Sequence, residues 1–419
     1  MQSKMGENKN IPQIRFNGFD ESWEVKKLGE IGFTYSGLFG KSKIDFGHGE
    51  GKYITYMNIF SNPITNVDIT APIEIDINQN EVEFGDVFFT TSSETPEEVG
   101  MTSVWLGSGK NTYLNSFCFG YRLTEELDSY FIAYLLRSFN IRKKITYLAQ
   151  GISRYNISKN KVMQICISRP KISEQYHIGS YFQNLDKLIT LQQQKHDKLV
   201  TLKKAMLDKM FPTEGADVPE IRFMGFTGDW DEEKLGDIGY TYTGLTGKTK
   251  ADFGHGNGKY ITYMNVFSNP VADNDITEAI EVDNNQNKVQ FGDVFFTTSS
   301  ETPEEVGMSS VWLKNCHNTY LNSFCFGYRP NIKVDNYYFA YLLRSTVIRK
   351  RIIFLAQGIS RYNISKNKVM EISVPLPNLE EQKQIGSYFQ NLDKLISLHQ
   401  QEIQKLKNIK KACLEKMFV

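Results

Sequence analysis

The sequence is written twice. Trp23 is matched by Trp230, Phe84 by Phe291, Arg154 by Arg361 and Phe211 by Phe418, all at one offset of 207 residues and without a gap. Long stretches are identical: 84–101 (FGDVFFTTSSETPEEVGM) equals 291–308, 148–163 (LAQGISRYNISKNKVM) equals 355–370, and 178–189 (IGSYFQNLDKLI) equals 385–396. Such a period is far longer than the roughly 20–50 residues of solenoid repeats, so the chain holds two copies of one module, each with its own core. Its 419 residues suffice for two to four domains.

Each copy reads as two parts. From about 23 to 170 the runs KYITYMNIF (52–60), DVFFTT (86–91) and FCFGYR (117–122) are rich in β-branched and aromatic residues and predict strands. One amphipathic helix at about 127–148 interrupts them, with Leu127, Phe131, Tyr134, Leu135 and Leu136 near helical period. The second part is a long helix over 174–211, repeated at 381–418, where Asn378 and Glu381 form a capping box behind Pro377. Its apolar residues alternate spacings of four and three: Ile178, Phe182, Leu185, Ile189 and Leu199, then Ile385, Phe389, Leu392, Ile396 and Leu406. That is a heptad seam, with polar Gln192, His196 and His399 in its middle. A seam wants a partner, and the other copy supplies one at high local concentration. The expected fold is α+β: two homologous β-rich domains (1–172 and 212–379) and two long helices (173–211 and 380–419). The helices pair as an antiparallel coiled coil about a pseudo-twofold axis.

Composition narrows the class. No apolar run approaches the roughly 18–20 residues that span a bilayer, and the first ten residues, MQSKMGENKN, lack a signal-peptide core. Five cysteines without CxxC spacing argue against a disulfide framework and a zinc knuckle, so a cytoplasmic protein is expected. Formal charge is 48 − 48 = 0, but it is segregated. Residues 53–109 carry nine acidic and no basic residues, 129–173 nine basic and no acidic ones, and 336–370 seven basic and no acidic ones. A basic stretch is a candidate phosphate-facing surface or a solvated helix face.

Catalytic motifs fail on inspection. GLFGKS (37–42) and GLTGKT (244–249) are two residues short of a phosphate-binding loop, with Tyr35 and Tyr242 where glycine is required. DFGHGEG (45–51) runs into strand-like KYITYM rather than a helix N-terminus, and Asn62-Pro63 lacks the second proline of an adenine methyltransferase motif. TPEE (95–98) reads as a turn with exposed acids, and the six histidines are scattered. No metal site or catalytic residue is expected.

Three segments carry recognition chemistry instead. The Gly-rich loop, read as flexible, holds Lys41, Lys43 and Lys52 (Lys248, Lys250 and Lys259 in the second copy). TTSSETPEE offers Ser92 and Ser93 (Ser299 and Ser300), and GISRYNISKN offers Arg154, Tyr155 and Asn156 (Arg361, Tyr362 and Asn363). Arg pairs with guanine, Asn with adenine, and carboxylates accept from cytosine. Arg142 and Lys143 (Arg349 and Lys350) suit phosphates, as does Lys144.

Three motifs recur in order: P-x-IRF-x-GF…W…LG-x-I at 12–31 and 219–238, then LAQGISRYNIS, then the EQ…IG-x-YF-x-NLDKLI…MF helix ending at 211 and 418. Through them the whole chain resembles the specificity subunits of type I restriction–modification systems. The resemblance implies a non-catalytic subunit with two target-recognition domains reading a split DNA sequence. Its partners would be double-stranded DNA, two methyltransferase subunits docked on the long helices, and restriction subunits. No cofactor would bind this chain; S-adenosylmethionine and ATP with Mg would serve the partners. Members of the family usually carry two dissimilar recognition domains, whereas these are nearly alike, which predicts an interrupted palindrome. The main differences are Phe39/Thr246, Ile44/Ala251, Glu50/Asn257 and GSGK (107–110) against KNCH (314–317). Without the resemblance, a protein- or carbohydrate-binding scaffold and a stand-alone DNA enzyme stay open.

Overall fold

A computed structural model describes residues 10–107 and 110–419. The first nine residues, on which the signal-peptide reading rests, and positions 108–109 of GSGK lie outside it. The chain divides into two compact units, Met1–Gln193 with Gln401–Val419, and Gln194–Gln400.

In the first unit the strands are β1 (Glu24–Lys27), β2 (Gly32–Ser36), β3 (Phe46–Ile54), β4 (Thr70–Ile73), β5 (Val87–Thr90), β6 (Ser92–Ser93), β7 (Thr102–Val104), β8 (Thr112–Leu114), β9 (Cys118–Leu123), β10 (Tyr155–Asn156) and β11 (Cys166–Arg169). The helices are α1 (Tyr56–Ser61), α2 (Ser129–Leu135), α3 (Phe139–Tyr147), α4 (Lys159–Val162) and the start of α5 (Ile172–Lys209). An antiparallel sheet of order β2-β9-β5-β7 lies beside a mixed sheet of order β4-β3-β8, and β1-β11 and β6-β10 are two-stranded ribbons. Strand β5 is buried throughout because it separates two cores. Val87 and Phe89 join Val104, Phe119 and Tyr121 against the helices, and Phe88 joins Ile54, Trp105 and Leu114 on the opposite face.

The second unit repeats this arrangement as β12 (Asp231–Lys234), β13 (Gly239–Thr243), β14 (Phe253–Ile261), β15 (Thr277–Ile280), β16 (Val294–Thr297), β17 (Ser299–Ser300), β18 (Ser309–Val311), β19 (Thr319–Leu321), β20 (Cys325–Pro330), β21 (Tyr362–Asn363) and β22 (Ser373–Leu376). Its helices are α6 (Tyr263–Ser268), α7 (Asn336–Leu342), α8 (Thr346–Phe354), α9 (Lys366–Val369) and α10 (Leu379–Lys416).

The long helices are each 38 residues, two positions earlier than the spacing predicts. Their ends pair antiparallel within each unit. In the first, Tyr181 meets Cys413 and Asp186 meets Lys410 at 2.5 Å. In the second, Lys203 meets Asp393 at 2.5 Å and Phe211 stacks on Phe389. Ile178, Phe182, Leu185, Ile385, Phe389 and Leu392 are buried, and Ile189, Leu199, Ile396 and Leu406 half-buried. The innermost seam residues also face the recognition-domain cores, where Phe182 stacks on Tyr134. Each core is finished by a helix end from the other copy: Met417 and Phe418 enter the first unit, Met210 and Phe211 the second.

Four local readings are corrected. The run 52–60 is strand only to Ile54, since Thr55 accepts from the Asn58 N–H and starts α1. The single helix over 127–148 is two, broken at 136–138. There Arg137 donates to the carbonyls of Thr102, Ile59, Phe60 and Asn62, and Ser138 precedes the next helix in an extended conformation, its carbonyl accepting from the Arg142 N–H. At α10 only half the capping box forms: Asn378 accepts from the Glu381 N–H, but the Glu381 carboxylate takes Arg222 at 2.6 and 2.8 Å. The Gly-rich loop is clasped rather than loose. Gln79 bonds both the N–H and the carbonyl of Phe39, and Lys41 pairs with Asp76 at 2.7 Å.

Candidate nucleic-acid interface

Two of the three candidate segments become one surface. Tyr155 pairs with Ser93 and Asn156 with Ser92, so β6 and β10 form a ribbon, and the tip between Gln150 and Asn156 turns back on itself. Gly151 makes that turn at φ 148°, where a Cβ would lie 2.0 Å from the Arg154 carbonyl oxygen. Ile152, Ser153, Arg154 and Asn156 are exposed, while Tyr155 packs against the core. In the second unit Tyr362 pairs with Ser300 and Asn363 with Ser299.

The candidate cations divide by what holds them. Arg154, Lys43, Lys52 and Lys143, with Arg361, Lys250, Lys259 and Lys350, make no ion pair among the described residues and remain open to a ligand. Lys41 and Lys248 are tied to Asp76 and Asp283, each at 2.7 Å. The lysine ammonium holds either carboxyl below its usual range, with backbone N–H groups helping. Arg142 corrects the phosphate assignment: its guanidinium donates to the carbonyls of Gly100 (2.5 Å), Glu97 (2.8 Å) and Val99 (2.6 Å). Arg349 does the same to Gly307, Glu304 and Val306. Burial lowers the pKa of both arginines, and they pin the TPEE turn from inside. Lys144 is likewise engaged, by the Cys166 carbonyl.

Ser92, Ser93, Ser299 and Ser300 are buried, because the ribbon uses their backbone and the serine hydroxyls of Ser93 and Ser300 donate to Glu98 and Glu305. Glu94 and Glu97 beside them are exposed. Lys143 sits elsewhere, on a groove of about 1070 Å³ beside Phe139, Tyr147, Lys161 and Ile165. Lys350 sits likewise beside Phe354 and Lys368, in a groove of about 950 Å³.

Two features escape the sequence reading. Tyr35, which stood where a nucleotide loop needs glycine, donates to buried Asp86 at 2.6 Å, and Arg122 binds the same carboxylate through two nitrogens at 2.8 Å. Gly120 makes room for that ring: a Cβ there would meet it at 2.1 Å. The second is exposed Phe117, with Phe324 in the copy. Their signal was present as an aromatic retained in both copies. No group of three or more metal-donor side chains occurs among the described residues, and none of their helices is long and apolar enough to cross a membrane.

Comparison with known proteins gives a consistent family. The type I restriction modification DNA specificity domain matches residues 20–201 and again 227–408. A type I restriction enzyme specificity subunit (MjaX) from Methanocaldococcus jannaschii is 23% identical over 96% of this chain and 94% of its own. The type I restriction-modification S subunit from M. genitalium superposes with TM-score 0.51 at 15% identity, covering 98% of this chain and 99% of its own. The HsdS subunit from Thermoanaerobacter tengcongensis gives TM-score 0.51 at 18% identity, over 94% and 96%.

Proposed function

Since the chain belongs to the type I restriction–modification DNA specificity family, a non-catalytic DNA-recognition subunit, we propose that each of its units reads one half of a split target. The two halves match in inverted orientation. The observation that carries this is the repetition of the exposed ribbon. Arg154, Asn156 and the carboxylates of Glu94 and Glu97 return as Arg361, Asn363, Glu301 and Glu304 on an equivalent β17-β21 ribbon. Equal readers select equal bases, and helix ends that run antiparallel suit inverted half-sites.

Two methyltransferase subunits dock on the long helices, where Leu188, Leu191, Leu395 and Leu398 expose apolar surface. S-adenosylmethionine binds those partners. Restriction subunits join the same complex in the cytoplasm with ATP and Mg. With zero net charge, this chain supplies base choice while the partners add phosphate contacts.

Modified-base sequencing of DNA from cells expressing the chain with its methyltransferase subunit tests this. The expected result is methylated adenine in one split motif with matching inverted halves. Unrelated halves would refute the symmetry argument and keep the function. No chain-dependent modification beside an active partner would favour a scaffold for another ligand.

A further inference from the structure

The two units have drifted over much of their exposed surface. Ile77 faces solvent where the copy has Asn284, Ile44 where it has Ala251, and Glu81 reverses charge to Lys288. The exposed positions around the ribbon have not. Met57, Glu94, Glu97, Ser116, Phe117, Ile152, Arg154 and Asn156 are identical to their counterparts 207 residues on. Apolar side chains are among them: Ile152 and Ile359 are each 96% exposed, Phe117 59% and Phe324 58%.

Hydrogen bonds gather these residues into one surface. The Phe117 carbonyl accepts from the N–H and the hydroxyl of Thr91 (2.9 and 2.8 Å), the Thr91 carbonyl accepts from the Ile157 N–H, and Tyr56 donates to the Ser92 carbonyl. Phe117 itself stands on a locked turn. Its N–H donates to Asn115 Oδ1, and buried Asn115 donates in turn to the Ile54 carbonyl. Phe324 is held alike through Asn322, Ile261 and Thr298. A backbone this fixed, carrying an exposed ring in both copies, presents the ring to a ligand that both units share.

We infer that Phe117 and Phe324 are specificity-determining contacts, each pressing its ring onto base or sugar surface of duplex DNA while the neighbouring ribbon reads base edges. The inference rests on the DNA reading proposed above. Charge favours bases over the phosphate backbone as the target. Glu94 and Glu97 repel phosphates but accept from cytosine and adenine amino groups, and unpaired Arg154 suits guanine. The drifted loop positions 39, 44 and 50 then lie outside the base-reading set.

The test uses the chain assembled with its methyltransferase subunits and a duplex carrying the methylated motif. Phe117→Ala with Phe324→Ala should weaken binding to that duplex by about tenfold or more, the loss expected when aromatic anchors of an interface are truncated. Methyltransferase assembly and the melting temperature should be unchanged, and Phe117→Tyr with Phe324→Tyr should restore most of the binding. Converting the first loop to the second (Phe39→Thr, Ile44→Ala, Glu50→Asn) should leave the motif as it was. Unchanged DNA binding by the alanine pair, loss of the methyltransferase subunits instead, or a new half-site from the loop conversion would each overturn the inference. If the unsubstituted complex shows no sequence-specific modification, the DNA reading itself fails, which is a separate result.

Discussion

Phe418 lies one residue from the end of the sequence, yet its ring is buried in the unit that carries the first recognition domain. It stacks on Phe182 at 5.6 Å between centroids and tilts against Phe131 at 5.8 Å. Replacing a buried phenylalanine by alanine costs about 3–5 kcal/mol through lost burial and the cavity left behind. We take the lower end of that range, about 3 kcal/mol. With a urea dependence of about 2 kcal/mol per molar, the midpoint for that unit falls by about 1.5 M. Hydrogen exchange across a urea series, resolved by peptide, locates the loss. Phe418→Ala should strip protection from peptides within 131–182 and leave those within 338–389 unchanged. Phe211→Ala should do the converse, because its ring packs on Phe389 and Tyr338. If Phe418→Ala weakens 338–389 first, or both units equally, the assignment of each helix end to the other copy's core is wrong.

Arg137→Met removes a guanidinium that satisfies four part-buried carbonyls, at about 1–3 kcal/mol for each group left unpaired. Because these carbonyls are only part-buried and water reaches most of them once the side chain is gone, a net loss of about 3 kcal/mol is expected, a fall of about 6–12 °C in that unit's melting temperature by calorimetry; a fall under about 2 °C would show that water replaces the arginine fully. The loop clasp has a predictable acid limit. Lys248, then the Asn285 N–H and Gln286, hold the Asp283 carboxyl at about 2, against an ordinary 3.8. Because the folded value is depressed, the clasp is fully present above pH 3.8 and is lost as pH falls toward 2. Amide exchange in 244–252 should therefore stay slow at pH 4, and Lys248→Met should move its onset upward; an unmoved onset would exclude the ion pair as the cause. Burial pushes the Cys118 and Cys325 thiols up to about 12, so iodoacetamide at pH 8 should label half-exposed Cys166 and Cys316 first. Early labelling of Cys118, read by mass spectrometry, would contradict the packing of the second core.

Local pattern carried much of the architecture. The alternation of four and three in IGSYFQNLDKLI shows the buried face of the long helices, and DVFFTT marks a strand, which the structure buries on both faces. Punctuation that depends on remote partners was not legible. The break at 136–138 exists because Arg137 finds carbonyls 35–78 residues upstream, and no local signal announces them. Among the candidate site residues, residue type misled wherever an interior partner competed with a ligand. Arg142 and Lys41 have the chemistry for phosphate, but a nearby carbonyl triplet and a nearby aspartate engage them. Arg154 stays open because a tight glycine turn lifts it off the core, and Asn156 Nδ2 reaches no further than the Arg154 carbonyl at 3.4 Å.

By itself the sequence determined that there are two equal modules, each with one strand-rich part and one heptad helix, since repetition and periodicity are local properties. It could not determine which helix end completes which core. Phe182 and Phe389 stand in identical segments, so Phe211 and Phe418 each meet the same apolar target in either copy. The tertiary structure breaks that tie. A continuous helix rising about 1.5 Å per residue keeps its own two ends apart, and Phe211 packs in the core of the second unit and Phe418 in that of the first.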